Sequence, residues 1–457
     1  MASTSIQRSR TAGTTKTKFT ISMWVKRADN AAKYLLVNYT DDANRALFQF
    51  GGSDELLFQQ RVSNSLQVSL QTNRKFRDPN GWYAITLTGD STLAASADRL
   101  KLFVNGVRET SFATDTQLSQ DSNYYINEAT TNGFRIGEKG DGSDYFNGLM
   151  SHVHFCDGYA YEASAFGSTD SVTGEWQINT SPSVSYGTNG FFLKMEDSSN
   201  MDLDSSSNAL TFTTNGTLTK SECCPSNVFA TWNPLLAMNS SMSLANGNTK
   251  ATTGNGYDAG RSNSYFSTLG MTKGKYYAEF KVVTAPSAAC LIGVGYDLSS
   301  AQQGTTTNQY NLSFTNLGFS YNSVGSIGND GDGWTSTGYD TYTADDYIGI
   351  AIDLDNNKLY VSKNGTWQNS ANPSSGTGGF SITADKEYFF AVSDNNGAQV
   401  YVYEANFGNG CFGSTQLTGT TYNGADGNGI FKYDPNNITL DSTTKSFKSL
   451  STKGLNA

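Results

Sequence analysis

One local phrase occurs twice in this chain, and it limits the possible folds more than any other feature. An apolar strand is followed by a polar turn, a second apolar strand and then Asn-Gly. The first copy spans residues 82–88 and 99–106, ending Phe103-Val104-Asn105-Gly106. The second spans 347–353 and 358–365, ending Ser362-Lys363-Asn364-Gly365. Residues two apart share one face of a strand, which groups Leu100, Leu102 and Val104, and likewise Ile348, Ile350 and Ile352. Asn and Gly both accept positive φ, so each phrase predicts a tight hairpin. Two antiparallel β-sandwiches in series are the expected architecture, a class commoner in recognition and assembly than in self-contained catalysis.

The bulk numbers agree with two cores. A chain of 457 residues is too long for a single one. Apolar content of 37% and charged content of 16% are both low, and 46 glycines stand against 7 prolines. Short strands joined by Ser, Thr and Asn turns give this composition. Aromatics at 12% set the chain apart from disordered sequences.

The net charge of −10 is unevenly placed. Residues 1–108 hold 15 basic and 8 acidic side chains, a net of +7, which leaves −17 for the remainder. Arg74, Lys75 and Arg77 form the densest basic run and are the candidate docking residues for an acidic partner. The competing reading is a solvated basic face. No aromatic-interleaved basic stripe accompanies the run, so nucleic acid is not an expected partner. Residues 1–17 lack the apolar core of a secretory leader, and no stretch has the length of a membrane span. Cys156, Cys223, Cys224, Cys290 and Cys411 are odd in number and lack metal-type spacing, which predicts reduced thiols in a protein made in a cytoplasm.

Strands are expected at 18–27, 34–38, 46–50, 56–61, 66–71, 133–137 and 148–155, and again from 274–282 to 400–402. The resulting division is an arm at 1–17, a first sandwich at 18–166, a structured connection at 167–224, a second sandwich at 225–412 and a tail at 413–457.

Several motifs carry a resemblance. Phe19-Thr20-Ile21-Ser22-Met23-Trp24-Val25, the 100–106 phrase, Phe134-Arg135-Ile136-Gly137 and the run from Gly148 to Gly158 resemble the laminin-G-like, concanavalin-A-type lectin sandwich, a jelly roll. Residues 225–412 resemble a SPRY domain, through 274–282, Ile292-Gly293-Val294-Gly295-Tyr296, Gly318-Phe319-Ser320-Tyr321, 347–367 and Asn406-Phe407-Gly408. The pairing is similar to virion proteins of tailed bacteriophages, and the join at 186–193 and 225–234 and the ending Ser446-Phe447-Lys448-Ser449-Leu450 look like theirs. That resemblance implies a virion location, without fixing the part of the particle, and other virion proteins as partners; a tail fibre for host attachment is the leading expectation, with homo-oligomers common among such parts.

The chemistry of the residues favours binding over catalysis. A glycosidase on this type of sandwich needs two carboxylates at fixed separation, and the nearest cluster, Glu138 to Asp144, is broken by small residues. His152 and His154 share a strand face but lack further metal ligands, so no metal site is expected. Asp141 and Asp144, and Asp330 and Asp332, are candidate calcium ligands, although Asp-Gly is also the ordinary way to turn a chain. Otherwise no cofactor is expected. Sugar binding needs an aromatic face with fixed polar groups. Trp334, Tyr339 and Tyr342 are the candidates on the second sandwich, and Tyr145, with Tyr124 and Tyr125, on the first. The expected function is a non-enzymatic virion adhesin contacting host surface glycan or another receptor. The alternatives are a structural or decorating virion protein and a glycan-degrading spike.

Overall fold

The computed structural model describes residues 3–11, 13, 15–236, 242–254, 264–285, 290–296, 312, 318–329, 334–394, 399–435 and 446–456. The chain forms two compact units, Met1–Lys220 and Ser221–Ala457. Both are built almost wholly of strands, as the all-β expectation requires.

In the first unit an eight-stranded and a six-stranded antiparallel sheet share one core. The Lys18–Arg27 strand is central in the smaller sheet, between Gly148–Asp157 and Tyr83–Asp90. Phe19, Ile21, Met23 and Val25 face the core. The alternate residues are buried too, and at Thr20 the 159–161 segment crosses the outer face: Thr20 Oγ1 donates to the Tyr159 carbonyl at 2.9 Å and accepts from Tyr161 N at 2.7 Å.

The strands of this unit extend beyond residues 18–166. Ser5–Arg10, in the expected arm, lies in the larger sheet between Thr130–Ile136 and Thr213–Asn215. Ile6 enters the core, while the Arg10 guanidinium is buried over the Phe134 and Phe155 rings and pairs with Asp157 at 3.0 Å. From the expected connection, Phe191–Leu193 adds an edge to the smaller sheet, and Phe191, Leu193 and Phe212 enter the core. Apolar side chains of that size are drawn out of water wherever a sheet edge and a core offer them room.

The second unit repeats the plan. Its larger sheet runs Ser243–Ala245, Lys250–Thr252, Val402–Asn406, Lys275–Thr284, Tyr347–Asp353, Lys358–Lys363, Thr366–Trp367, and its smaller one runs Ser264–Phe266, Phe389–Asp394, Cys290–Gly295, Gly318–Asn322, Ser326–Asn329, Trp334–Thr337. The segment after residue 412 belongs to this body. Lys448–Ser449 pairs in parallel with Lys275–Thr284, and Leu450 enters the main core. Phe431 and Phe447 pack with Tyr277 and Tyr360 in a smaller cluster.

Both repeated phrases form hairpins of the same design. Tyr83–Asp90 pairs with Leu100–Val104, and Asn105-Gly106 then turns the chain so that Val104 meets Val107. Tyr347–Asp353 pairs with Lys358–Lys363, and Asn364-Gly365 brings Lys363 to Thr366. The φ values are +49° and +77° in the first turn and +50° and +84° in the second, the positive pair that a two-residue hairpin turn demands. Each asparagine also holds the start of the first strand of its hairpin. Asn105 Oδ1 accepts from Ala84 N, and Asn364 Oδ1 from Tyr347 N, both at 2.9 Å.

Candidate functional site

The second Asn-Gly turn positions two aromatic rings. Asn364 fixes the backbone of Tyr347, and Gly365 seats the Tyr433 ring so closely that a Cβ there would overlap it. In the first unit Gly106 seats Trp176 in the same way. The glycine therefore serves both a left-handed backbone and a close approach.

Glu279 fixes the segment that carries Tyr433. Its side chain is wholly buried on the Lys275–Thr284 strand. Oε1 accepts from Tyr433 N at 2.7 Å and the Tyr277 hydroxyl at 3.2 Å. Oε2 accepts from Lys432 N at 2.9 Å and Asn406 Nδ2 at 3.0 Å. Burial pushes this carboxyl up from 4.5 to about 7, against the four hydrogen bonds that favour its ionised form.

These supports border a cleft of about 230 Å³. Its aromatic wall is the half-buried Tyr347 and Tyr433, backed by the buried Phe412, with Phe412 and Tyr433 each set edge-on to Tyr347 at centroid distances of 5.0 and 6.1 Å. Lys432 Nζ lies 4.9 Å from the Tyr347 centroid and 5.5 Å from that of Tyr433, and Lys281 Nζ lies 5.9 Å from Tyr347. Glu404 lies on one side, and the exposed Thr415, Thr418, Thr420 and Thr421 supply hydroxyls along the rim. An aromatic wall with a few fixed polar groups suits a small polar ligand having apolar faces.

The residues singled out from sequence lie elsewhere. Tyr342 is a core residue, 4% exposed, and its hydroxyl reaches the Cys290 and Tyr321 carbonyls at 2.9 and 2.8 Å. It is therefore no ligand platform: its ring is enclosed and its one proton is committed. Tyr339 is half-buried with its ring 6.0 Å from that of Tyr321, and Trp334 is half-buried on an edge strand. In the first unit Tyr145 is half-buried, Tyr124 is a core ring bonded to the Arg99 carbonyl, and the Tyr125 hydroxyl meets Thr40 Oγ1 at 2.8 Å.

The basic run is compensated locally. Arg77 pairs with Asp54 at 2.9 Å, Lys75 with Glu55 at 3.5 Å and Arg74 with Glu109 at 3.7 Å. Asp141 is held by Lys139 at 2.8 Å and accepts from Ser143 N at 3.1 Å, so it closes a turn. Asp330 and Asp332 lie outside the described residues. His154 stacks on Phe192 at 4.0 Å and bonds to the Tyr186 hydroxyl at 3.0 Å, and burial holds its pKa well below 6.5, so the ring is neutral. His152 leans on the same Phe192. Among the described residues no group of three His, Cys, Asp or Glu side chains is placed to hold a metal ion.

Sequence reasoning passed over the cleft because residues 281, 347, 404, 412–421 and 432–433 meet only in the folded state. One local signal was present, the run Ile430-Phe431-Lys432-Tyr433 in a segment otherwise rich in Gly, Thr and Asn.

Residues 2–164 match the family model of the concanavalin A-like lectin/glucanases superfamily. The match covers about a third of the chain, lies within the first unit and includes the Ser5–Arg10 strand, so this unit is similar to a concanavalin A-like lectin domain. Among solved structures, the SPRY domain of human HERC1 aligns at 16% identity over 41% of this chain and 99% of that one, with a TM-score of 0.31. A putative carbohydrate binding protein from Bacteroides ovatus aligns at 16% identity over 47% of this chain and 56% of that one, with a TM-score of 0.31. A human SPRY domain aligns at 15% identity over 36% of this chain and 94% of that one, with a TM-score of 0.26. Comparison with curated proteins gives no match.

Proposed function

We propose that this chain is a non-catalytic glycan-recognition protein that binds sugar in the second-unit cleft. The observation carrying this reading is the pair of half-buried rings Tyr347 and Tyr433, backed by the buried Phe412, beside a rim of hydroxyls and ammonium groups. Aromatic faces meet the C–H faces of a sugar ring, and the rim groups meet its hydroxyls. The likeness of the first unit to the concanavalin A-like lectin/glucanases superfamily supports the same class of ligand.

The finer reading is a tail-associated adhesin of a tailed bacteriophage, made in the host cytoplasm and mounted as several copies on the virion. It rests on the sequence likeness of the join and the ending to such proteins. Repetition on a particle makes weak single contacts useful through avidity. The alternative is a structural or decorating virion protein whose loops pack on neighbouring virion chains, with Arg74, Lys75 and Arg77 as its docking residues.

The test is to present the isolated chain with immobilised bacterial surface glycans. Saturable binding that a soluble saccharide competes away is the expected result. Binding to virions alone, with no retention on any glycan, would move the chain to the decorating class. Release of reducing ends would make it an enzyme.

A further inference from the structure

The charge within the cleft narrows the class of sugar, an inference that rests on the glycan reading above. Most ionic groups around it are already paired. Glu404 meets Lys250 at 3.6 Å, Lys281 meets Asp345 at 3.4 Å and Lys363 meets Asp346 at 3.5 Å. Lys432 differs. Among the described residues no carboxylate lies within 4.0 Å of its Nζ, which rests instead against the Tyr347 and Tyr433 rings. Its backbone N–H is tied to Glu279, which fixes where the side chain leaves the main chain, and its Nζ lies beside the aromatic wall.

An ammonium nested between rings loses part of its hydration, and the ring faces return only about 0.5–2 kcal/mol of it. An anion arriving there gains a charge-assisted hydrogen bond. We infer that the cleft recognises an acidic sugar, with the anionic substituent on Lys432 and the ring hydroxyls on the threonine rim. At about 230 Å³ the space is smaller than the roughly 300–1,000 Å³ of pockets for drug-sized ligands. That space matches one sugar residue enclosed by the cleft.

Titration calorimetry on the full chain tests this with three probes: a uronic-acid-terminated oligosaccharide, the same oligosaccharide with its carboxyl reduced to the alcohol, and a sulfated counterpart. The expected result is that the reduced probe binds at least tenfold more weakly than the uronate. Comparison of the uronate and sulfated probes then shows which acidic group the cleft prefers. Lys432→Met should lower uronate affinity to that of the reduced probe, and Lys432→Arg should keep most of it. The backbone bond to Glu279 survives in both variants, and circular dichroism of each checks that the fold is intact. Equal affinity for uronate, sulfated and reduced probes overturns this inference while leaving the glycan reading standing. So does an unchanged uronate affinity in Lys432→Met. Failure of all three probes and of neutral glycans alike overturns both.

Discussion

Gly365 carries a φ of +84°, and the space where its side chain would stand is filled by the Tyr433 ring. An alanine there meets a backbone penalty and a steric one together. Gly365→Ala should cost roughly 1–3 kcal/mol of second-unit stability and displace Tyr433 from the cleft. Gly106 is the matched control, with φ +77° and Trp176 on its face. Gly106→Ala should destabilise the first unit by a similar amount and leave second-unit saccharide affinity unchanged. Thermal unfolding with binding measured on the same samples separates the two. Equal loss of affinity in both variants would break the link drawn between the Asn364-Gly365 turn and the site.

At the scale of elements, the Lys275–Thr284 strand holds the 430–433 segment through one buried carboxyl. The folded state raises Glu279 from 4.5 to about 7, so it favours the protonated form. The sign follows: this group's contribution is fully present below about pH 4.5 and is lost as pH rises through 7. The gap, 7 − 4.5 = 2.5, corresponds to about 3 kcal/mol. Urea unfolding should show wild-type stability falling relative to Glu279→Gln between pH 5 and pH 8. A difference that grows the other way with pH would show that the four hydrogen bonds outweigh burial. Glu279→Leu removes both acceptor oxygens and strands the Lys432 and Tyr433 backbone N–H groups, at roughly 1–3 kcal/mol for each one left buried. It should weaken saccharide binding as well, because Lys432 and Tyr433 both lose their backbone anchor.

At the scale of the molecule, each unit has its own core, and the division at Lys220 and Ser221 sets where the chain can be cut. A fragment of residues 1–220 should unfold cooperatively. One of 1–166 should not, because it lacks Phe191, Leu193 and Phe212 and exposes the edge that Phe191–Leu193 covers. Likewise 221–457 should fold where 221–412 fails, for want of Phe431, Phe447 and Leu450. Amide spectra of the four fragments decide this.

The hairpins, the central strand 18–27 and the core faces of both sandwiches were legible because period-two patterning and Asn-Gly turns are local. The roles of Ser5–Arg10 and of the final residues were not, since a single strand among polar neighbours carries little pattern until a sheet edge receives it. Tyr342 misled for a related reason. An aromatic residue in a glycine-rich run reads as a loop platform, and only the folded chain shows its hydroxyl spent on the Cys290 and Tyr321 carbonyls.

The most direct measurement is a saccharide titration of the full chain against its Tyr433→Ala variant, which loses the ring but keeps the backbone bond to Glu279. Wild-type binding with a loss on the order of tenfold, about 1.4 kcal/mol, in the variant is the predicted result. Identical affinities in the two proteins would place the sugar elsewhere and contradict the account.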